Sequence, residues 1–329
     1  MKIKVFIESA RDFHERQLLM KFSEGIERYY QTHEKPDDLD ISIDLSETYT
    51  NCDVALFFGS WKNREKGHHI TRTSIASNSK CFICIETPLL NRKVSESNQY
   101  FRIGVNGFLN NQGIFLDPLS PINRIRLEKF GVNFSGWKNN PNGHILVLLQ
   151  LPNDASLRGA NIYSWAEYAI KEIRTKSQKK IVIRPHPLAP LRSGEEFYDF
   201  FFRLHKEKIS NIEFSDPSQK SLAEDLNGAY CSVAYSSGSS IDSVINGIPA
   251  ITCDAGNFMY DISTHFPDEI EHLRLASPQE VDKLLTKLAY YQWTENEIHS
   301  GQVWDHLLPI INNVLTTIRT NIENTKRKK

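Results

Sequence analysis

No apolar stretch in the chain approaches the roughly 18 residues that cross a bilayer as a helix, so no transmembrane segment is expected. Neither sign of charge dominates. Lys plus Arg number 39 against 40 for Asp plus Glu, which excludes a strongly basic nucleic-acid binder and leaves only a local patch open. Cysteine is scarce, five in all and scattered. Cys81-Phe82-Ile83-Cys84 has CxxC spacing but sits in a β-type apolar run, where positions three apart face opposite sides. No second pair completes a zinc site, so the cysteines read as buried thiols in a reducing, cytoplasmic setting. Missing too are GxxxxGK[ST], HExxH, GxSxG and GxGxxG. Asp38-Leu39-Asp40 has DxD form but precedes a strand, a poor place for a metal, so no metal is expected. The N-terminal Met1–Ile7 is too short and too β-like for a signal peptide, and no long internal repeat is visible.

What is present is ordinary globular composition, 40% hydrophobic and 24% charged, over 329 residues, a length that suggests about two domains. Short apolar runs alternate with amphipathic stretches. Met1–Glu8, Asp40–Leu45, Asp53–Phe58 and Cys81–Ile85 read as strands, and Arg16–Tyr30 has helical spacing through Leu18, Leu19, Phe22, Ile26 and Tyr29. Residues 87–143 are rich in Pro, Gly and Asn and read as loop, with a linker at Gly136–Gly143. The alternation resumes with strands at Ile145–Gln150, Lys180–Arg184, Ile212–Phe214, Tyr230–Tyr235 and Pro249–Cys253. Helices are read at Ile162–Arg174, Glu195–Lys206, Ser221–Asn227 and Ser239–Asn246, and everything from Pro278 on reads as helix. The expected class is α/β, two Rossmann-like domains facing a central cleft. Residues 1–140 form an N-terminal domain, 141–305 a C-terminal domain, and 306–329 a helix and charged tail.

In such sheets ligands sit beyond the carboxyl ends of the strands. There, Tyr235-Ser236-Ser237-Gly238-Ser239-Ser240 runs from a strand into a helix, where small hydroxyl residues let a phosphate approach the backbone or act merely as caps. Arg184-Pro185-His186-Pro187 holds a histidine rigidly beside an arginine, suited to an anion or to a structural turn. Gln150-Leu151-Pro152-Asn153-Asp154 ends a strand with a carboxylate, a candidate nucleophile or base, or a helix cap. In the first domain Glu8, Trp61-Lys62, Glu86 and the Arg102–Asn106 stretch follow apolar runs and look like an acceptor wall if the strands are parallel. Trp61 or Phe108 would stack on the acceptor. His68-His69 reads as surface.

Gln150–Leu157 (QLPNDASL), Arg184–Pro187 (RPHP), Tyr235–Pro249 (YSSGSSIDSVINGIP) and the later Tyr291–Trp304 segment together resemble the capsule polysaccharide synthesis proteins. Among these are the retaining β-Kdo glycosyltransferases. The resemblance covers about residues 145–305 in order and spacing. It implies a GT-B fold and a metal-independent glycosyltransferase that uses a nucleotide sugar, CMP-linked in that family, with no other cofactor. It further implies Asp154 as the catalytic carboxylate, His186, Ser236 and Ser237 at the nucleotide, and Glu86 as the acceptor-side acid.

The N-domain departs from that family: Glu86 leads into Thr87-Pro88, with no Asp-Gly-Phe run, so the acceptor need not be a capsule glycan. One rival acceptor is hydroxymethylated cytosine in DNA, held by a basic groove of Lys62, Arg64, Lys66, Arg72, Arg92, Lys93 and Arg102. Other rivals are a nucleotide-sugar epimerase and a non-catalytic binding module. The oligomeric state is not legible.

Overall fold

The computed structural model describes residues 1–62, 67–91, 99–115, 124–189, 194–207 and 209–327. In chain order its elements are β1 (Lys2–Phe6), α1 (Phe13–Tyr29), β2 (Asp40–Asp44), β3 (Val54–Phe58), α2 (His68–Asn78), β4 (Phe82–Glu86), β5 (Tyr100–Val105) and α3 (Ile125–Glu128). There follow β6 (His144–Leu148), α4 (Ile162–Lys176), β7 (Ile181–Arg184), α5 (Gly194–Lys206), β8 (Ile212–Phe214), α6 (Leu222–Leu226), β9 (Ala229–Ala234), α7 (Ser239–Ile245) and β10 (Ala250–Thr252). The chain ends with α8 (Pro278–Tyr290), β11 (Gln292–Thr294), α9 (Glu295–His299) and α10 (Gln302–Arg327). They form two compact units. The first comprises Met1–Phe108, Gln112–Phe130 and Thr286–Lys329, the second Leu109–Asn111 and Gly131–Leu285.

The first unit is built on a six-stranded sheet of order β11-β5-β4-β3-β1-β2. β1 pairs in parallel with both β2 and β3, and β3 with β4, whereas β5 and β11 run antiparallel. The central β3 is apolar throughout, and β4 is apolar up to its last residue, Glu86, because both faces of the sheet are covered. One face packs Ile3, Val5, Leu56 and Ile83 against Leu18, Leu19, Phe22 and Ile26 of α1 and against Trp293, Trp304 and Leu307. Each such side chain contributes about 1.5–3 kcal/mol of burial. Asp12 starts α1 by accepting the Glu15 N–H at 3.0 Å, and its apolar positions repeat with helical period. Gly25 in mid-helix lets α9 approach: a Cβ there would lie 2.1 Å from the carbonyl oxygen of Ile298.

Two expectations change here. Residues 87–143 are not all loop, for β5 lies within them; Arg102 and Gly104 interrupt its apolar run and hid the strand. The chain after Pro278 is not all helix either. β11 is three residues, too short to carry a period, and exists because it pairs with β5.

The second unit holds a five-stranded, all-parallel sheet of order β10-β9-β6-β7-β8. Ile145, Val147, Ile183 and Val233 pack against Ile162, Ala166, Ile170 and Ile173 of α4 and Phe200 and Leu204 of α5. On the other face Leu146, Leu148, Val182 and Ala234 meet Leu226 and Ile248. The chain winds from β6 outward through β7 to β8, returns to β9 on the other side of β6, and continues to β10. That order is the Rossmann winding, and its switch point lies between β6 and β9. The molecule is thus mixed α/β with two sheets built mainly of parallel strands. No helix of the described residues is long and apolar enough to cross a membrane.

Candidate functional site

Leu148, Arg184 and Ala234 lie side by side in register, so the segments after β6, β7 and β9 leave the second sheet at one edge. At the switch point their polar side chains interlock. The Gln150 carboxamide accepts the Ser236 N–H at 3.0 Å and donates from Nε2 to Ser236 Oγ at 3.0 Å and to Ser156 Oγ at 2.7 Å. Ser236 Oγ donates in turn to the Ser156 carbonyl at 3.0 Å. Asp154 Oδ1 accepts both the N–H and the hydroxyl of Ser156, at 2.9 and 2.6 Å. Asp154, Ser156, Gln150 and Ser236 therefore form one hydrogen-bonded chain across the mouth of the sheet. Asn153 takes left-handed backbone, φ +58°, which turns the chain just before the carboxylate.

The four serines after β9 divide into two pairs. Ser236 and Ser240 are buried, and Ser240 Oγ is spent on the Ser237 carbonyl and on Asn257 Oδ1 at 2.8 Å. Ser237, Gly238 and Ser239 are half-buried and form the accessible part of the turn. His186, also half-buried, accepts the Leu188 N–H on Nδ1 at 3.1 Å, which puts the proton of a neutral ring on Nε2.

Arg184 does not reach this surface. Only 8% exposed, it turns onto the face under α6, where its guanidinium donates to Asp225 at 2.5 Å and to the Lys220 carbonyl at 2.8 Å. Asp225 is 0% exposed and also accepts Ser215 Oγ at 2.5 Å and Lys220 Nζ at 2.8 Å. Burial pushes its carboxyl up, but Lys220, Ser215 and Arg184 outweigh that and hold it below the usual carboxylate range. Arg184 thus stiffens the start of the Pro185-His186 turn from below.

In the first unit the switch point lies between β1 and β3. Ser9, fully buried after β1, takes the Phe58 N–H on its hydroxyl at 3.0 Å. Arg72 of α2 enters the same place. It is 7% exposed, donates from Nε to the Ser9 carbonyl at 2.8 Å, and pairs with Glu15 at 3.4 Å. Gly59, φ +88°, makes room, since a Cβ there would sit 2.2 Å from the Arg72 guanidinium carbon. Glu86, the last residue of β4, accepts the Ser60 N–H at 2.7 Å and the Thr87 N–H at 3.1 Å and faces Arg102 at 3.6 Å. Burial raises the Glu86 carboxyl, but Arg102 and those N–H groups prevail and keep it below its ordinary value.

The residues expected to form an acceptor wall do not all share one edge. Glu8, bonded to Arg16 at 3.3 Å, and Glu86 follow parallel strands at the same edge. Asn106 ends the antiparallel β5, so it lies at the opposite edge, where it accepts the Phe82 N–H at 2.9 Å. Arg102 lies within β5 and is buried. Trp61 folds back over the sheet onto Phe57, Phe82 and Phe108, and Phe108 is only 4% exposed, so Phe108 has no face to offer an acceptor. Lys62 is half-buried beside α2, its carbonyl accepting the Thr73 hydroxyl at 3.0 Å. Of the basic groove envisaged for DNA, Arg72 and Arg102 are buried ion-pair partners, while Arg64, Lys66, Arg92 and Lys93 lie outside the described residues. His68-His69 is half-buried, not surface; burial and then the charges of Arg72, Arg11 and Lys62 hold the His68 ring below its usual pKa.

No family model and no curated protein matches the chain. Among solved structures, one similar fold is "Thermosulfurimonas dismutans KpsC, beta Kdo 2,4 transferase", at 10% identity and TM-score 0.48, covering 96% of this chain and 98% of that one. A second is "Thermosulfurimonas dismutans KpsC, beta Kdo 2,7 transferase", at 12% identity and TM-score 0.46, covering 92% and 98%. With both scores below 0.5, the chemistry has to be read from this chain's own residues.

Several residues of these edges escaped the sequence reading. Asp254 follows β10, as Asp154 follows β6, and the same rule of inspecting strand ends would have found it. Arg158 stands in plain view four residues after Asp154. Asp225 carried no signal, because a charged residue on a helix is usually solvated, and Arg72 was read only as part of a basic groove, not as a buried partner of Ser9 and Glu15.

All five cysteines are free, and burial pushes the Cys81 and Cys253 thiols up to about 12, so they carry no thiolate chemistry.

Proposed function

We propose that the chain is a glycosyltransferase of the GT-B class that moves a sugar from a nucleotide donor to an acceptor hydroxyl, the second unit binding the donor and the first the acceptor. One observation carries this reading: the carboxylate of Asp154 and the serine turn after β9 belong to a single hydrogen-bonded chain at the switch point of a Rossmann-type sheet. A reacting carboxylate and a phosphate site need that adjacency, because the bond to be broken joins the sugar to the phosphate. The order and spacing of the motifs noted in the sequence support the same class and favour a CMP-linked donor.

Ser156 fixes Asp154 through Oδ1, and Oδ2 acts on the anomeric carbon. The carbon–oxygen bond to phosphate breaks, its electron pair leaves with the nucleoside phosphate, and the Asp154 ester forms. The acceptor hydroxyl then displaces Asp154, which leaves as the free carboxylate, and its proton passes to the nucleoside phosphate released in the first step, giving retention overall. Ser237 and Ser239 hydroxyls and His186 Nε2–H donate to the departing phosphate, a contribution of several kcal/mol in such sites. Glu86, kept ionised by Arg102, serves to orient the acceptor hydroxyl as a hydrogen-bond acceptor and is a weak base. No step requires a metal.

The test is Asp154→Asn assayed for both nucleotide binding and sugar transfer. The expected result is nucleotide affinity within two- to three-fold of wild type, about 0.5 kcal/mol, with transfer lost. A variant that transfers at the wild-type rate removes Asp154 and with it the proposal. A thermal-shift panel of CMP, UDP and GDP identifies the donor, since a ligand at 100 times its Kd adds about 2.7 kcal/mol of stability.

A further inference from the structure

The edge that is to hold a phosphate needs a cation, and Arg184 is committed elsewhere. Among the described residues of the loops that follow the strands of the second sheet there are two other arginines: Arg274, held by the Asp261 carbonyl and Glu280 far along the segment after β10, and Arg158. It sits four residues beyond Asp154, in left-handed backbone at φ +50° followed by Gly159 at φ +90°, so the chain doubles back there. Its guanidinium reaches from the loop after β6 across the end of β9 to the loop after β10. There Nη2 pairs with the Asp254 carboxylate, while Nη1 donates to Asn111 Oδ1 at 3.4 Å. The two partners differ in exposure: the Arg158 side chain is 35% exposed and that of Asp254 is 9%. Asp254 Oδ1 also accepts the Gly256 N–H at 2.8 Å, so the carboxylate keeps a partner when the arginine moves. Gln150–Ser236 lies on one side of the β9 end and Arg158–Asp254 on the other, with the half-buried Ser237–Ser239 turn leaving the same strand.

We propose that Arg158 is the phosphate-binding residue of this site, held on Asp254 until it transfers to the phosphate of a nucleotide ligand. This rests on the reading of the second unit as a nucleotide-sugar site and deepens it. A planar guanidinium matches a phosphate with two parallel N–H donors, as it matches a carboxylate, so the exchange replaces one charged pair by another. Asp254 has the opposite role, that of a competitor which holds the fork oriented until the ligand arrives. The sign of the two substitutions therefore differs, which a merely structural ion pair does not produce.

The experiment is calorimetric titration of wild type, Arg158→Met, Arg158→Lys and Asp254→Asn with CMP, UMP and GMP, each against its nucleoside. For whichever base binds, wild type should prefer the monophosphate. Arg158→Met should lose about ten-fold or more of that preference with nucleoside affinity unchanged, and Arg158→Lys should lose less. Asp254→Asn should keep the preference or increase it. A wild-type monophosphate-to-nucleoside ratio in Arg158→Met overturns the proposal, as does an equal loss in Asp254→Asn; the second result decides the matter even where Arg158→Met does not fold. The glycosyl-transfer reading fails separately: phosphate preference that depends on Arg158, together with transfer that survives Asp154→Asn, keeps this inference and removes that mechanism. Wild-type protein that binds none of the monophosphates overturns both.

Discussion

Both sheets change winding direction at a point where two parallel strands part, and both fill that point with polar side chains, but they fill it with different chemistry. In the first unit the filling is ionic. Arg72, nearly sealed from water, bridges the Ser9 carbonyl and Glu15 in a gap that Gly59 leaves open. In the second the centre is neutral, the amide of Gln150 and the hydroxyls of Ser236 and Ser156, with the Asp154 carboxylate at the end of that chain and the Arg158–Asp254 pair beside it, while the buried Arg184–Asp225 pair lies lower on the sheet face. A buried charge demands its partner, whereas a neutral hydrogen bond tolerates exchange with water or ligand. The centre of the first edge is held by a buried charge, that of the second by hydrogen bonds that can be exchanged.

The largest expected effect is on the ionic edge. Arg72→Met takes away the donor to the buried Ser9 carbonyl and leaves Glu15, whose carboxyl burial already pushes above its usual value, with only the exposed Arg11 as ion-pair partner, and should destabilise by about 3 kcal/mol. Chemical denaturation measures the total, and hydrogen exchange should quicken in β1, β3 and β4 and not in β6 or β9. A loss below about 1 kcal/mol would break the contrast, since surface pairs are worth that little.

Next comes Asp225→Asn, at about 1.5–3 kcal/mol, with a defined pH course. The folded carboxyl lies below its ordinary value, so its stabilisation is complete above the unfolded pKa of about 4 and disappears as pH falls through the folded value. Acid denaturation of wild type minus variant should therefore be flat at neutral pH and close toward zero below pH 4. A difference that grows with acidity has the wrong sign.

Gly59→Ala should cost at least about 1–2 kcal/mol for its left-handed backbone. Because the added methyl meets the Arg72 guanidinium, its cost should shrink in an Arg72→Met background, which a double-mutant cycle reads. The smallest effect belongs to the neutral edge: Gln150→Leu should cost about 1 kcal/mol of stability yet weaken nucleotide binding, because it removes the hydrogen bonds that orient Ser236 and Ser156.

The strands of the second sheet were readable because each is short, apolar and bounded by turn residues, and the site residues because they follow those strands directly. β5 and β11 were not readable: one contains Arg102 and Gly104, the other is three residues long, and both are strands through their partners and not through their own pattern. The same limit applied to the site. The sequence points to Arg184 as a residue beyond a strand end but cannot say that its side chain turns back to Asp225, 41 positions away. Nor could it show that β5 runs against its neighbour, which moves Asn106 to the far edge.

The path of the chain has a consequence for synthesis. The strand order of the first sheet is closed by Gln292–Thr294, and its core by Trp304 and Leu307, so the first unit waits for residues made after the whole of the second sheet. The second sheet is continuous from His144 to Thr252 and has all its strands before then. During translation the second unit should therefore mature first, while β1 to β5 emerge earlier and stay exposed until β11 and α10 are made, which gives a chaperone a binding site on those unpaired strands.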